Sequence, residues 1–199
     1  MSAFLGPIHY WLYRKIEIQN NLANELANRL GKDSVMPMLN DKYETLPEGD
    51  LEDFIQTDNI HGWLQEKVHL VEKRLAFAVE QLVDSNITMD EIKAVAYEVG
   101  SKITDLTVTT SAREAFGFLN NTLLDGMPCD HVNMMKQEEE DQVVWIRSTN
   151  LHEEFWSEQS RLENRYDLVR DSFIKGCLAN TNLEYKNEDN IEFTISNKA

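Results

Sequence analysis

The alternation of apolar and polar residues near the C-terminus is the feature that most constrains the fold. Between residues 183 and 196 the side chains change character at every second position, which is the period of a β-strand with one buried face. The polar stretch 187–190 divides this region into two short strands and supplies the turn of a hairpin. The residues predicted to face the core are Leu183, Tyr185, Ile191, Phe193 and Ile195, and those predicted to face the other way are Glu184, Lys186, Glu192 and Thr194.

An earlier hairpin and a helix complete this half of the chain. Val132 and Met134, followed by Val144 and Ile146, alternate on either side of the polar turn 138–141. Between the two hairpins we expect one helix over 151–179, capped by Asn150 and Glu153. The apolar stripe of this helix is Phe155, Leu162, Tyr166, Val169, Phe173 and Cys177. Two hairpins joined by one helix can pair into a four-stranded antiparallel sheet, which needs a cover of helices.

The first 126 residues supply that cover. Apolar residues recur at helical spacing over 7–30 and over 58–84, and capping boxes at 88–91 and 111–114 begin two further helices. Residues 32–57 show no sustained period, and we expect a solvated connection there with one short helical turn near 51–56. The predicted fold class is α+β, mostly α, in a single domain (1–199) with a helical part (1–126) and a hairpin–helix–hairpin part (127–199).

The charge of the chain limits its partners. Acidic residues outnumber basic ones by 35 to 19, giving a net charge of −16. Such a surface repels phosphate backbones and anionic headgroups, so neither a nucleic acid nor a membrane is expected as a partner. Cys129 and Cys177 are too few for a disulfide framework and indicate reduced thiols in the cytoplasm. The N-terminus has no basic region before its apolar stretch and does not resemble a signal peptide.

Three segments resemble a known superfamily: GPIHYWLYRKI near the start, FLNNTLLDGMP before the first hairpin, and RDSFIKGCLANTNLEY leading into the last. With the order of elements, they are similar to the vinyl-reductase-type (hydrocarbon-binding) domains and the haem–nitric-oxide-binding domains. The resemblance implies a pocket for a small ligand between the helices and the sheet. The haem-binding members imply a proximal histidine on the helix 112–124, which has none, and a Tyr-x-Ser-x-Arg motif, where this chain has Tyr166, Leu168 and Arg170. Haem is therefore not expected.

Cys129 and His131 are the candidate metal ligands. Two residues apart on a strand, a thiolate and an imidazole would point the same way, and both bind zinc or a related transition metal. A site would need further groups, among which His9 is preferred over His152, Cys177 or an acid. The alternative is an ordinary strand start. His69 follows Glu66 at the spacing of a di-iron motif, but it has no second pair and is predicted to lie on a solvated face with Gln65 and Glu72.

His9, Trp11 and Tyr13 are the candidate pocket residues. Aromatic side chains with an imidazole can hold a ligand by shape and a few polar contacts, and core packing is the alternative. Three functions remain open at this point: a small-ligand-binding or sensor domain, a small metal-dependent enzyme using Cys129 and His131, and a helical interaction protein that serves a homodimer or a larger assembly. No phosphate-binding loop and no Gly-x-Ser-x-Gly elbow occurs in the sequence.

Overall fold

Helices form the first part of the molecule and a small sheet forms the second. The computed structural model describes residues 4–157 and 164–198. The N-terminal helices are α1 (Pro7–Leu30), α2 (Val35–Lys42), α3 (Leu51–Phe54), α4 (Ile60–Asp84), α5 (Met89–Ile103) and α6 (Ala112–Thr122). They are followed by strands β1 (Asn133–Glu138) and β2 (Gln142–Arg147), helices α7 (Glu153–Ser157) and α8 (Arg165–Cys177), and strands β3 (Leu183–Glu188) and β4 (Glu192–Asn197). The protein is α+β and mostly α-helical, as predicted.

The two predicted hairpins pair into one antiparallel sheet in the order β1-β2-β4-β3. Helix α6 packs against β2 and β4, and α8 packs against β3 and against α5. In the centre of the sheet Trp145 lies opposite Phe193 and Val143 lies opposite Ile195. These four side chains are buried and form the floor of the main core.

The buried face of β2 differs from the prediction. Val143 and Trp145 point into the core, whereas Val144 and Ile146 lie on the opposite face. Residues 143–146 are all apolar, so alternation alone does not choose the face, and a shift by one residue exchanges every side chain. Two further residues assigned to apolar faces are exposed: Met134 (55%) on the edge strand and Ile191 (57%) in the last turn.

The two helix starts marked by capping boxes are confirmed, whereas α7 begins at Glu153, two residues later than predicted. Thr88 Oγ1 accepts a hydrogen bond from the Glu91 N–H at 3.3 Å, and Glu91 Oε2 accepts one from the Thr88 N–H at 2.9 Å. Ser111 and Glu114 make the same reciprocal pair at the start of α6. The predicted helix over 151–179 is two helices, because Asn164, with φ 65°, stands in the left-handed region before α8. Leu162 of its stripe lies outside the described residues.

Residues 32–57 are more ordered than predicted. The short turn is present as α3, but the sequence pattern missed α2, whose Pro37 lies in the first turn, where a missing N–H is tolerated. Arg74, which is fully buried, fastens this region to α1 and α4. Its guanidinium donates to Asn20, Asn24, Asn40 and the carbonyl oxygens of Tyr43 and Glu44.

Helices α5 and α8 cross at very close range. A Cβ atom on Gly176 would overlap the carbonyl oxygen of Tyr97, and one on Gly100 would overlap that of Phe173. The two glycines therefore let the backbones touch, and Asp167 and Arg170 of α8 are buried. No helix in the described ranges is both long enough and apolar enough to cross a membrane.

Candidate functional site

The segment 126–131, between α6 and β1, forms a wall shared by three cavities. It turns sharply at both ends, with Gly126 at φ 74° and His131 at φ 48°, and contains a 3-10 turn at Pro128–Asp130. Asp130 Oδ2 accepts a hydrogen bond from the Met127 N–H at 2.7 Å, which closes the turn. The positive φ value of Gly126 favours glycine at this position, and a Cβ there would also require the end of the Leu151 side chain to move.

The largest of these cavities, here the His9 cavity, measures about 430 Å³. Its walls come from the start of α1, the start of α4 and the 126–131 segment, and most of the side chains are apolar. His9 is buried, and its Nε2 lies 3.4 Å from Nε2 of the exposed His61. His9 Nδ1 accepts a hydrogen bond from the Gly6 N–H at 2.8 Å, so the proton of the neutral ring is on Nε2.

The pKa of His9 is lowered by burial and, to a smaller extent, by the charge of His61. Burial disfavours the charged form of the His9 ring, and two neighbouring imidazolium rings repel each other. Both causes therefore favour a neutral His9. His9 therefore presents an uncharged N–H to the cavity near pH 7, and His61 and Asp130 are further titratable side chains beside it. The exposed Cys129 also lines this cavity.

A second cavity of about 190 Å³, here the Lys15 cavity, lies on the other side of Met127 and Pro128. Lys15 is 5% exposed, and its Nζ lies 3.9 Å from the centre of the Trp11 ring. Burial lowers the pKa of Lys15 to about 8; Asp125 opposes this shift and Arg170 adds to it. Trp11 is itself fixed by a hydrogen bond of 2.8 Å from its Nε1 to Asn121 Oδ1.

A third cavity of about 200 Å³, here the His152 cavity, lies between α4 and α7. Glu72 and His152 form its inner end, and both side chains are 2% exposed. His69 lies at its rim, where its Nε2 is 2.7 Å from Gln65 Nε2 and its ring contacts Phe155. Glu72 was predicted to lie on a solvated face, and that prediction was wrong because α7 covers this side of α4.

Buried charges connect the second and third cavities. His152 Nδ1 is 3.0 Å from Glu72 Oε1, and His152 Nε2 is 3.5 Å from Asp125 Oδ1. Asp125 Oδ2 accepts a hydrogen bond from Asn133 Nδ2 at 2.7 Å and lies 3.3 Å from Arg170 Nη2. We call Glu72, His152, Asp125 and Arg170 the buried charge network. Its charges balance when His152 is protonated.

The pKa values of the network follow from this arrangement. Burial alone would lower the pKa of His152, but the carboxylates of Glu72 and Asp125 raise it above 6.5. Burial alone would raise the pKa of Asp125, but Arg170, His152 and Asn133 hold it well below 3.8. Tyr166 stacks on the His152 ring at 3.8 Å between centroids, which fixes the plane of the imidazole. A separate buried pair, Arg147 Nη1 and Asp167 Oδ1 at 2.9 Å, lies on the sheet side of α8.

The residues predicted for the ligand pocket and those predicted for the metal site are each divided between different places. His9 and Cys129 line the same cavity, while Trp11 and His131 line the Lys15 cavity. Tyr13 belongs to the core, where its ring packs between Phe54 and Trp63. Cys129 and His131 were expected on a strand, but they lie in the 3-10 turn and at its left-handed end, so the two-residue spacing does not align them.

No group of three or more His, Cys, Asp or Glu side chains in the described ranges comes together closely enough to hold a metal ion. The metal site at Cys129 and His131 therefore stays a prediction. The residues that the sequence pattern missed are Lys15, Glu72, Asp125 and Arg170. For Lys15, Glu72 and Arg170 the signal was a charge at helical spacing from apolar core residues, such as Glu72 four residues after Val68.

Comparison with models of protein families, with curated proteins and with solved structures gives no match to this chain. Its function is therefore argued from the cavities and from the charges around them.

Proposed function

We propose that this protein is a ligand-binding domain and that it holds a small, predominantly apolar organic molecule in the His9 cavity. The observation that carries the proposal is the cavity itself. Its volume of about 430 Å³ falls in the range typical of small-molecule sites, and its walls include Leu12, Leu64, Met127 and Pro128. Apolar walls favour an apolar ligand, because binding removes the apolar surface of the ligand from water.

The pair His9 and His61 supplies the polar contact that orients such a ligand. The Nε2–H of His9 faces His61 Nε2, and the exposed His61 ring lies at the solvent side of the cavity. A hydroxyl or carbonyl group on the ligand can take the place of His61 as the partner of His9. Because the pKa of His9 is lowered, this donor is neutral near pH 7 and does not demand a charged ligand.

The alkylation of Cys129 can report on ligand binding in the His9 cavity. It is exposed and lines the cavity, whereas Cys177 is buried and burial raises its pKa to about 12, so an alkylating reagent is expected to modify Cys129 alone. The rate of modification by iodoacetamide is measured by mass spectrometry with and without small aromatic and aliphatic alcohols such as indole-3-methanol and cyclohexanol. Ligands in the cavity are expected to slow the reaction and to raise the melting temperature.

A matched pair of variants separates binding in the cavity from binding elsewhere. Ile8→Asp introduces a charge at the cavity wall, and Ile191→Asp makes the same change in the last turn. Both isoleucines are about half exposed, so both variants are expected to fold. Protection of Cys129 should disappear in the first and remain in the second. If no alcohol slows the alkylation of the unaltered protein, the proposal is wrong.

The setting of this function is part of the same proposal. Free thiols at both cysteines and a net charge of −16 support a cytoplasmic protein without a nucleic-acid partner. Assembly into a homodimer stays a prediction, and size-exclusion chromatography with light scattering measures it directly.

A further inference from the structure

The Lys15 cavity has a charge that its surroundings do not balance. Lys15 is 5% exposed and lines the cavity, and its Nζ has no hydrogen-bond acceptor within the described part of the chain. Its Nζ lies over the face of the Trp11 ring. Because Lys15 lines the cavity, an anion bound there can supply the acceptor that the ammonium lacks.

Asp125 does not serve as the missing partner. Its carboxylate already contacts Arg170, His152 and Asn133. In the buried charge network the carboxylates of Glu72 and Asp125 are balanced by Arg170 and the protonated His152. Lys15 therefore adds one positive charge that is not balanced. His131, which is exposed at the cavity rim, is the remaining titratable group among the residues that line it.

We propose that the Lys15 cavity is a second binding site, which takes a small monocarboxylate whose charged group pairs with the Lys15 ammonium. This site goes beyond the apolar ligand of the His9 cavity. A single cation in a chain of net charge −16 favours a monoanion over phosphate or sulfate. Met127, Pro128 and Val132 give part of the wall an apolar surface against which the organic part of the carboxylate can lie.

The proton on Lys15 gives the binding a characteristic pH dependence. Burial lowers the pKa of Lys15 to about 8, and a bound carboxylate stabilises the charged form and raises that pKa. Affinity for the carboxylate is therefore expected to be highest below pH 8 and to fall as the amine loses its proton. The ligand supplies the acceptor that the ammonium lacks in the structure.

Titration calorimetry with benzoate tests the site. Lys15→Met keeps an unbranched side chain that is one atom shorter and removes its charge, and benzoate affinity is expected to fall at least about tenfold. Lys67→Met is the matched control, because Lys67 is also a buried lysine beside a tryptophan, Trp63, but it is paired with Glu44 outside the cavity. That variant should bind benzoate as the unaltered protein does.

Two further measurements distinguish this site from the His9 cavity. Ile8→Asp should leave benzoate affinity unchanged, so loss of binding in that variant would place benzoate in the His9 cavity and overturn the proposal. Equal affinity for phosphate and benzoate, absence of any heat with benzoate, or undiminished binding in Lys15→Met would each overturn it as well. Failure of the alcohols to protect Cys129 would refute the apolar ligand and leave this site standing.

Discussion

Replacing His152 with glutamine is expected to destabilise the protein strongly, because the imidazolium separates two buried carboxylates. The side chains of His152, Glu72 and Asp125 are 2%, 2% and 9% exposed. Asp125 would retain Arg170 and Asn133 as partners after the change. Glu72 would lose the cation that it contacts in the described structure, while its Oε2 already lacks a hydrogen bond. The substitution therefore leaves one buried carboxylate unbalanced.

The size of the effect follows from that unbalanced charge. Removing one partner of a buried ion pair costs about 3–5 kcal/mol. For a domain of this size each kcal/mol lowers the melting temperature by about 2–4 °C, so His152→Gln is expected to lower it by about 6–20 °C. The double variant Glu72→Gln and His152→Gln should recover part of the loss, with a coupling energy of about 1–3 kcal/mol, because the unbalanced charge is then absent.

The loss should depend on pH in a defined direction. The pKa of His152 is raised above 6.5 in the folded protein, so the folded chain binds this proton more tightly than the unfolded chain. The stabilisation is complete below about pH 6.5 and disappears as pH rises through the folded-state pKa. The difference between the unaltered protein and His152→Gln should therefore narrow at alkaline pH. Asp125, whose pKa is held well below 3.8, contributes stability above pH 3.8 that is lost as pH falls through its folded-state pKa.

Guanidinium unfolding followed by circular dichroism between about pH 5 and pH 9 measures both effects. His131→Gln is the control, because His131 is exposed and makes no ion pair with a described residue. A loss below about 1 kcal/mol in His152→Gln, or a difference that stays constant across this pH range, would show that the imidazole is neutral and that the network is not held by charge.

Two matched pairs of substitutions test the packing of the fold. Phe193 is fully buried, so Phe193→Ala should lower the free energy of unfolding in guanidinium by about 3–5 kcal/mol. Glu192→Ala, on the other face of the strand, should lower it by less than about 1 kcal/mol. Equal losses in the two variants would contradict the assignment of the faces. Gly176→Ala should lower the free energy of unfolding by about 1–3 kcal/mol, because its Cβ would overlap the carbonyl oxygen of Tyr97. Gly117→Ala should raise it by about 0.5–1 kcal/mol, because its Cβ would meet nothing within 4 Å. The melting temperatures of the two glycine variants are measured by thermal unfolding. Equal melting temperatures would contradict the close crossing of α5 and α8.

Local signals were sufficient to predict most of the backbone. The capping boxes at Thr88 and Ser111 begin α5 and α6 because each places a reciprocal pair of hydrogen bonds within four residues. The strands β3 and β4 were predictable because their alternation has a single solution, with Phe193 and Ile195 inside. The faces of β2 were not, because four consecutive apolar residues fit either orientation and only the pairing with β4 decides between them.

The site was harder to predict because its geometry depends on turns and on long-range contacts. Cys129 and His131 are close in sequence, yet the 3-10 turn and the left-handed backbone at His131 place them in different cavities. His9 and His61 are 52 residues apart, and only the packing of α1 against α4 brings their rings to 3.4 Å. Patterns within one element carry no information about such a pair.

The departures from local pattern nevertheless converge on one place. Lys15, Glu72 and Arg170 each occupy a position on the inward face of a helix, where an apolar residue is usual. Their three helices, together with Asp125 in the loop that follows α6, direct these charges toward the segment 126–131 and its neighbours. Burying four or five charged groups close together lowers the stability of the fold. Proteins keep such destabilising groups mainly at functional sites. The apolar ligand and the carboxylate proposed for this protein would then bind on opposite sides of the same short segment.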